Sequence, residues 1–446
     1  MRSLSLAQIG DLTGGTVTGN GEVHQVTIDS RLATSGSLFV ALPGEKVDGH
    51  QFVPDVLAKG GYALVKKGTY TDPGIIQVED PLLALQALAQ GYLAKFPVPV
   101  IAVTGSNGKT STKDMIAQVL RSRYTIHSTQ GNYNNEIGVP LTVLGLEEQH
   151  EILVAEMGMR GLGQIKRLTE VCPPNLGVIT NIGPVHLELL GSMGNIAQAK
   201  GELLEGLGPE GVAVLNGDDP SVRGQARSFK GKVVFYGLDQ ANNLIARGVT
   251  MDPEGHPSFV VRYEQEEVKV RLGVPGVHNV WNACAALTVG LQYGISLAEG
   301  AKALEALSAS AMRLEVQRNS QGVIIVNDSY NASPASMKGA LDTLAHMYCS
   351  GKRVAILGDI LELGEISKEA HREVGEYARD SAEELIFIGK HASLMQEAAG
   401  RGEVYSSVEE FLATDPVYNE GDLVLVKASR SLHFERIVEK LMKGGE

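Results

Sequence analysis

The chain has 446 residues, 43% of them hydrophobic, which is too long for one core and apolar enough for several, so two or three domains are expected. A formal net charge of −13 excludes the broad basic face of a nucleic-acid-binding protein but leaves room for local cations and amide donors that hold an anionic ligand. The scattered cysteines Cys172, Cys284 and Cys349 fit neither a disulfide framework nor a zinc site; with no signal-peptide core in MRSLSLAQIGDLTGG and no apolar run of membrane-spanning length, a reduced cytoplasmic protein without membrane insertion is expected.

Glycine is frequent, at 52 residues, and aromatics are few, at 5%, a mix that suits α/β sheets with short turns. In chain order, a first block (1–97) carries the β-like runs SLFVAL, YALVKK and IIQVED between turn signals such as Pro43-Gly44 and Asp48-Gly49. Pro97 and Pro99 punctuate its end. The second block (98–311) opens on the strand VIAVTG, a glycine loop and a helix from Lys109 to Arg121. The apolar runs ILVAEM, LGVITN, VAVLN and VVFYG then read as buried strands of a mostly parallel sheet. Residues 244–272 alternate polar and apolar about Pro253-Glu254-Gly255, the pattern of a solvated antiparallel hairpin. The helix WNACAALTVGLQYG closes the block, and SASA marks the next boundary near Ser310. The third block (312–446) repeats strand and helix, with strands GVIIVND, RVAILGD, LIFIGK and LVLVKAS. The expected fold class is α/β in three domains, with a central P-loop-type mostly parallel sheet and a C-terminal Rossmann-like doubly wound sheet. The active site is expected in the cleft between the second and third blocks.

The strongest chemical signal is the loop Thr104-Gly105-Ser106-Asn107-Gly108-Lys109-Thr110-Ser111 between a strand and a helix. Gly105 and Gly108 let the backbone turn its N–H groups inward, Lys109 can reach the β- and γ-phosphates, and Thr110 can ligate magnesium. The usual first glycine of G-x-x-x-x-G-K-[ST] would stand at Val103 and does not; it is displaced to Gly105. P-loop kinases and GTPases place a metal-holding Asp at the end of a later strand, whereas here ILVA ends in Glu156, whose carboxylate can do the same work.

At this point the residues resemble the Mur ligase family, whose loop reads T-G-x-x-G-K-[TS]. The resemblance covers nearly the whole chain. It rests on DSR, GSLFVALPGEKVDGHQF, TGSNGKTSTKDM, GNYNNEIGVP, VAEMGM, NIGPVHLELLGSMGNIAQAKGEL, NDSYNASPASM, GDILELGE and KASRSLHFE taken together. The NDSYNASP stretch, and the lack of a D-N-P-R segment in the last block, point to the branch of the family that adds a dipeptide rather than the third amino acid.

The resemblance implies an ATP-dependent amide ligase that joins D-alanyl-D-alanine to a UDP-N-acetylmuramoyl-tripeptide through an acyl phosphate, working as a monomer. It implies uridine contacts at Ser30 and Arg31, extending to Asp48, Gly49 and His50, and substrate contacts at Asn134 and Asn135. Bare chemistry would equally make Ser30-Arg31 a surface loop and the asparagines a turn. The resemblance further implies ATP contacts at Asn279, Asn282, Arg313 and Asp328, the last two forming as the third domain closes, with Tyr330, Asn331 and Ser333 facing the dipeptide. Two magnesium ions are expected, held by Thr110, Glu156, His186 and a carbamylated Lys200. A histidine ligand is unusual for an oxygen-preferring ion and rests on the resemblance alone. Lys109, His186 and Lys200 are the expected catalytic residues. Three alternatives stand beside this reading: another Mur-type or folylpolyglutamate-type amide ligase, a P-loop kinase or NTPase, and a nucleotide-binding module without catalysis.

Overall fold

Short runs rich in Val, Ile and Leu become strands of three main sheets, with helices between many of the parallel strands, and Leu4–Ser5 pairs with Glu22–Val23 in a small fourth sheet. The computed structural model describes residues 1–44 and 47–443; Glu45 and Lys46 of the stretch GSLFVALPGEKVDGHQF and the last three residues of the third block lie outside the described residues. The first sheet has five strands in the order Thr16–Thr18, Ile75–Val78, Tyr62–Lys66, Ser37–Val40 and Gln25–Thr27, parallel except for the first.

The central sheet has nine strands. From one edge they run Ile126–Ser128, Ile152–Glu156, Val100–Thr104, Leu176–Ile179, Val212–Asn216, Lys232–Gly237, Leu244–Met251, Pro257–Tyr263 and Glu266–Arg271. The pairing is parallel from the first edge as far as Leu244–Met251. Strand Val100–Thr104 is buried along its whole length, because helices cover both faces. Pro257–Tyr263 instead alternates buried and part-buried, since one face meets water. The expected hairpin over 244–272 is a three-stranded antiparallel meander, and it extends the parallel sheet through the pair Tyr236–Leu244.

The third sheet runs Glu315–Arg318, Ile324–Asn327, Leu423–Lys427, Arg353–Gly358, Glu384–Ile388 and Glu403–Tyr405, parallel except for the first. It contains the four expected strands and adds a short strand at each edge.

Packing ties the sheets unequally. One apolar core runs from Leu38 and Leu64 of the first sheet through Leu88 and Tyr92 to Val139, Leu144 and Leu153 of the central unit. Tyr92 is fully buried there and its hydroxyl donates to the Leu146 carbonyl at 2.7 Å. Burying one large side chain contributes about 1.5–3 kcal/mol, so this shared core fixes the first unit on the second. The third sheet has cores of its own on its two faces. Cys172 and Cys284 are buried and free, and burial pushes both thiols up. Among the described residues no helix is long and apolar enough to cross a membrane.

Candidate active site

The strand order reverses about Val100–Thr104: the chain places its next two strands on one side of it and the later ones on the other. A crevice opens at such a point beyond the carboxyl ends of the strands. Here a cleft of about 1000 Å³ lies between the glycine loop and the third sheet.

Two glycines shape the loop. Gly108 has φ 77°, a left-handed conformation that suits glycine, and precedes helix Lys109–Leu120. A Cβ on Gly105 would stand 1.9 Å from Thr180 Oγ1, so that position admits no side chain. The next strand buttresses the turn: Thr180 Oγ1 donates to the Asn107 carbonyl at 2.6 Å, and Asn181 Oδ1 accepts from the Asn107 N–H at 2.9 Å. Ser106 Oγ donates to the Gly183 carbonyl and accepts from the Gly183 N–H. Thr104 is buried, its hydroxyl bonded to the Met157 carbonyl at 2.8 Å, so its role is structural. Lys109 Nζ donates to the carbonyls of Gly105 (2.9 Å) and Ser106 (3.2 Å). Among the described residues no carboxylate pairs with it, so its charge is free for an anion. Desolvation lowers its pKa and the Glu156 carboxylate partly restores it.

Beside the lysine, Thr110 Oγ1 donates to Glu156 Oε2 at 2.7 Å, and Asn134 Nδ2 donates to Glu156 Oε1 at 2.7 Å. Glu156 is 2% exposed, a buried carboxylate at the end of strand Ile152–Glu156. Asn135 lines the cleft too, but its Oδ1 accepts from the N–H groups of Ile137 and Gly138. Across the loop, His186 has φ 54° and pairs through Nδ1 with Glu362 of the third unit. Burial lowers its pKa, and Glu362 opposes that shift. Lys200, on helix Met193–Glu205, lines the cleft at 2% exposure. No hydrogen bond or ion pair to its amine is found among the described residues. Burial, reinforced by Lys109, drives its pKa well down, so the neutral amine is favoured.

The third unit supplies the facing wall. Arg313 Nη2 donates to Thr110 Oγ1 at 2.9 Å and its guanidinium lies 4.1 Å over the Tyr330 ring. Ser333 caps helix Pro334–His346, and its hydroxyl donates to Asn107 Oδ1 at 2.7 Å. The third unit is thus already docked on the loop. Asp328 follows strand Ile324–Asn327, and Lys427 at the end of the adjacent strand reaches Asp328 Oδ2 at 2.6 Å and the Asn331 carbonyl at 2.9 Å.

The structure brings Ser106 to Ser111, Asn134, Asn135, Glu156, His186, Lys200, Asn282, Arg313, Asp328, Tyr330, Asn331 and Ser333 to this one cleft. Asn279 stands behind it: Nδ2 donates to the Pro275 carbonyl at 2.7 Å, and Oδ1 accepts from Asn282 at 2.8 Å. Ser30, Arg31, Asp48, Gly49 and His50 follow strands of the first sheet and do not line the cleft. Arg31 is 86% exposed and paired with Asp29, whose carboxyl it holds down at about 2. The Ser30 carbonyl accepts from Lys59, and His50 sits between Asp48 and the Lys66 N–H. Sequence reasoning missed Lys427, Glu362, Arg430 and His433 as cleft residues, although the stretches GDILELGE and KASRSLHFE contain all four.

Three family models match the chain: "Mur ligase family, catalytic domain" over residues 22–92, "Mur ligase middle domain" over 103–290, and "Mur ligase, glutamate ligase domain" over 312–430. The UDP-N-acetylmuramoyl-tripeptide–D-alanyl-D-alanine ligase of Bacillus subtilis is 38% identical over 433 residues, spanning 94% of this chain and 93% of the relative. Among solved structures, MurF from Acinetobacter baumannii aligns with a TM-score of 0.90 at 29% identity over 99% of both chains. MurF ligase from Thermotoga maritima, solved in complex with ADP, aligns at 0.83 with 30% identity, over 94% of this chain and 97% of that one.

Proposed function

The chain belongs to the Mur ligase family, and from that premise we propose that it joins D-alanyl-D-alanine to a UDP-N-acetylmuramoyl-tripeptide at the expense of ATP. The observation that carries this reading is the cleft itself. An unpaired loop lysine and a hydroxyl–carboxylate pair face a second α/β unit that already touches the loop. A kinase or NTPase switch would give that third unit no task.

Forming an amide from a carboxylate requires a better leaving group than oxide. The tripeptide carboxylate attacks the γ-phosphorus, the bond to the ADP oxygen breaks, and an acyl phosphate forms. The dipeptide amine then attacks the carbonyl carbon, and phosphate leaves. The protein contributes positioning and charge, since the reactants are crowded anions. Lys109 and the loop N–H groups of Gly108 to Ser111 hold the phosphates, while the N–H groups of Ser106 and Asn107 are held by Asn181, and Arg313 adds charge from the facing wall. Asp328, steadied by Lys427, offers its carboxylate to ribose hydroxyls. Asn282 stands at the loop for the base, while Tyr330, Asn331 and Ser333 face the dipeptide.

Magnesium fits the donor set. Thr110 and Glu156 present a hydroxyl and a carboxylate 2.7 Å apart, the hard oxygens that ion prefers. His186 would complete that position, and Lys200 would help hold a second ion. Burial disfavours the charge on the lysine amine, which has no partner among the described residues; the amine can add carbon dioxide and release a proton, and the resulting carbamate offers two oxygens where an ammonium would repel a cation. Bound magnesium neutralises phosphate charge. The first unit (1–97) holds the UDP-sugar through Ser30, Arg31, Asp48, Gly49 and His50, the central unit (98–311) holds ATP, and the third (312–446) brings the dipeptide. The protein works as a cytoplasmic monomer.

Acceptor choice tests the reading. Turnover with the UDP-muramoyl tripeptide and D-alanyl-D-alanine is expected to exceed turnover with the UDP-muramoyl dipeptide and a single amino acid. The reverse preference would move the enzyme one step back among the amide ligases.

A further inference from the structure

The stretch GDILELGE has no task in the reaction just described, yet its backbone is among the most firmly held in the third unit. Asp359 is buried and its carboxylate accepts the N–H groups of Lys390 (2.8 Å) and His391 (2.9 Å). His371, fully buried, accepts the Ile360 N–H at Nε2 (3.0 Å), while its Nδ1 lies 2.6 Å from the Ser367 carbonyl and so carries the proton. Asp359, His371 and His391 stand close enough together to suggest a metal site. The His371 lone pair is already used by Ile360, however, so the cluster serves as scaffold. Ser429 Oγ accepts the Leu361 N–H at 3.0 Å.

At the tip of this rigid turn stands Glu362. Its carboxylate meets His186 Nδ1 across the domain boundary, and its carbonyl accepts the Glu188 N–H at 3.2 Å. Gly364, at φ 58°, passes so close that an added Cβ would lie 3.2 Å from Glu188 Cα. Two backbones therefore touch beside the carboxylate's contact with His186. An imidazole that donates Nδ1–H to a carboxylate has its tautomer and ring plane fixed, and it presents a more basic Nε2 lone pair. The Nε2 atom of His186 has no hydrogen-bond partner among the described residues.

We propose that Glu362 is a positioning residue for the ligase reaction: it fixes His186 as the Nδ1–H tautomer, with Nε2 free for magnesium, and does so only while the third domain is docked. The proposal rests on the reading of His186 as a metal ligand. Because the pair spans two domains, metal binding and domain docking favour each other, as any two events sharing one contact must.

Titration of Mn²⁺, a paramagnetic stand-in for Mg²⁺, into the ADP-bound protein tests this without turnover. Glu362→Ala is expected to weaken Mn²⁺ binding by about 10- to 100-fold. Glu362→Gln should fall between it and the parent, since its carbonyl accepts the proton but carries no charge. Metal-free ADP affinity should fall far less than Mn²⁺ affinity in both, and Tm should change little. His186→Ala should lose as much as Glu362→Ala, and the double variant no more than either alone. Mn²⁺ affinity within about twofold of the parent in Glu362→Ala, with a loss in His186→Ala, would overturn the proposal while leaving the histidine's metal role intact. Losses that add, or an equal fall in metal-free ADP affinity, would make Glu362 merely structural. No loss in His186→Ala would remove the metal reading and the proposal together.

Discussion

The two walls of the cleft are built on opposite plans. The loop wall is complete within the central unit: Thr180, Asn181 and Gly183 hold Asn107 and Ser106, and no group from elsewhere in the chain is needed to keep its N–H groups in place. The facing wall is conditional. It meets the central unit through Arg313 on Thr110, Ser333 on Asn107 and Glu362 on His186, while its own cores lie elsewhere. On the proposed reading, phosphate recognition is preorganised within one unit, whereas the groups that complete the reaction depend on the contact between two units. Substitutions on the first wall should therefore destroy chemistry outright, and those on the second should grade it.

The largest effect is expected at Lys109. Lys109→Ala should lower kcat by at least about 10³-fold, because charge aimed at a transferring phosphoryl group is lost. Tm should hold, as the side chain bonds only to two loop carbonyls. Lys109→Arg should not restore the rate, since a planar fork does not replace a point charge in a tight loop. Near-normal rates in the alanine variant would make the loop wall structural only.

Lys200→Ala comes next, with a loss on the order of 10²-fold at saturating ATP and partial rescue by acetate, which supplies a carboxylate to the vacated space. Labelled bicarbonate should give a carbamate carbon signal in the parent that the variant lacks. Full activity in the variant would end the carbamate assignment.

Smaller effects should mark the conditional wall. Ser333→Ala removes a helix cap, the bond to Asn107 and a group facing the dipeptide, so stability should fall by about 0.5–2 kcal/mol and KM for ATP and for the dipeptide should rise several-fold with kcat less affected. A selective collapse of kcat would instead place Ser333 at the reacting atoms. The effect most confined to one substrate is expected at Arg31, far from either wall: Arg31→Ala should raise KM for the UDP-sugar by roughly tenfold, the loss of one charge-assisted contact, and leave KM for ATP and Tm alone. A change in KM for ATP would contradict the separate placement of the uridine contacts.

The same contrast governs how much could be read from the sequence. The loop wall was legible because its chemistry is contiguous: strand, TGSNGKTST and helix follow one another, and Glu156 ends the next buried apolar run of the sheet. The three sheets were legible from their apolar strands, while the edge strands Glu315–Arg318 and Glu403–Tyr405 are too short to show a period. The facing wall was less legible. Lys427 meets Asp328 across 99 positions, and Glu362 meets His186 across 176. The first depends on which strands lie side by side and the second on how two units dock, and sequence order reveals neither. Asn279 shows the converse: its spacing from Asn282 correctly put both on one helix face, but a bond to the Pro275 carbonyl turns it from the cleft.

The central claim is that the two walls together make an amide bond. Its most direct test supplies the purified protein with ATP, Mg²⁺, the UDP-muramoyl tripeptide and D-alanyl-D-alanine, and measures ADP and the UDP-linked pentapeptide together. The account predicts one ADP for each pentapeptide formed, with product formation abolished when either the tripeptide or the dipeptide is omitted. Steady ADP release that needs neither substrate, or a phosphorylated product without a new amide, would contradict it.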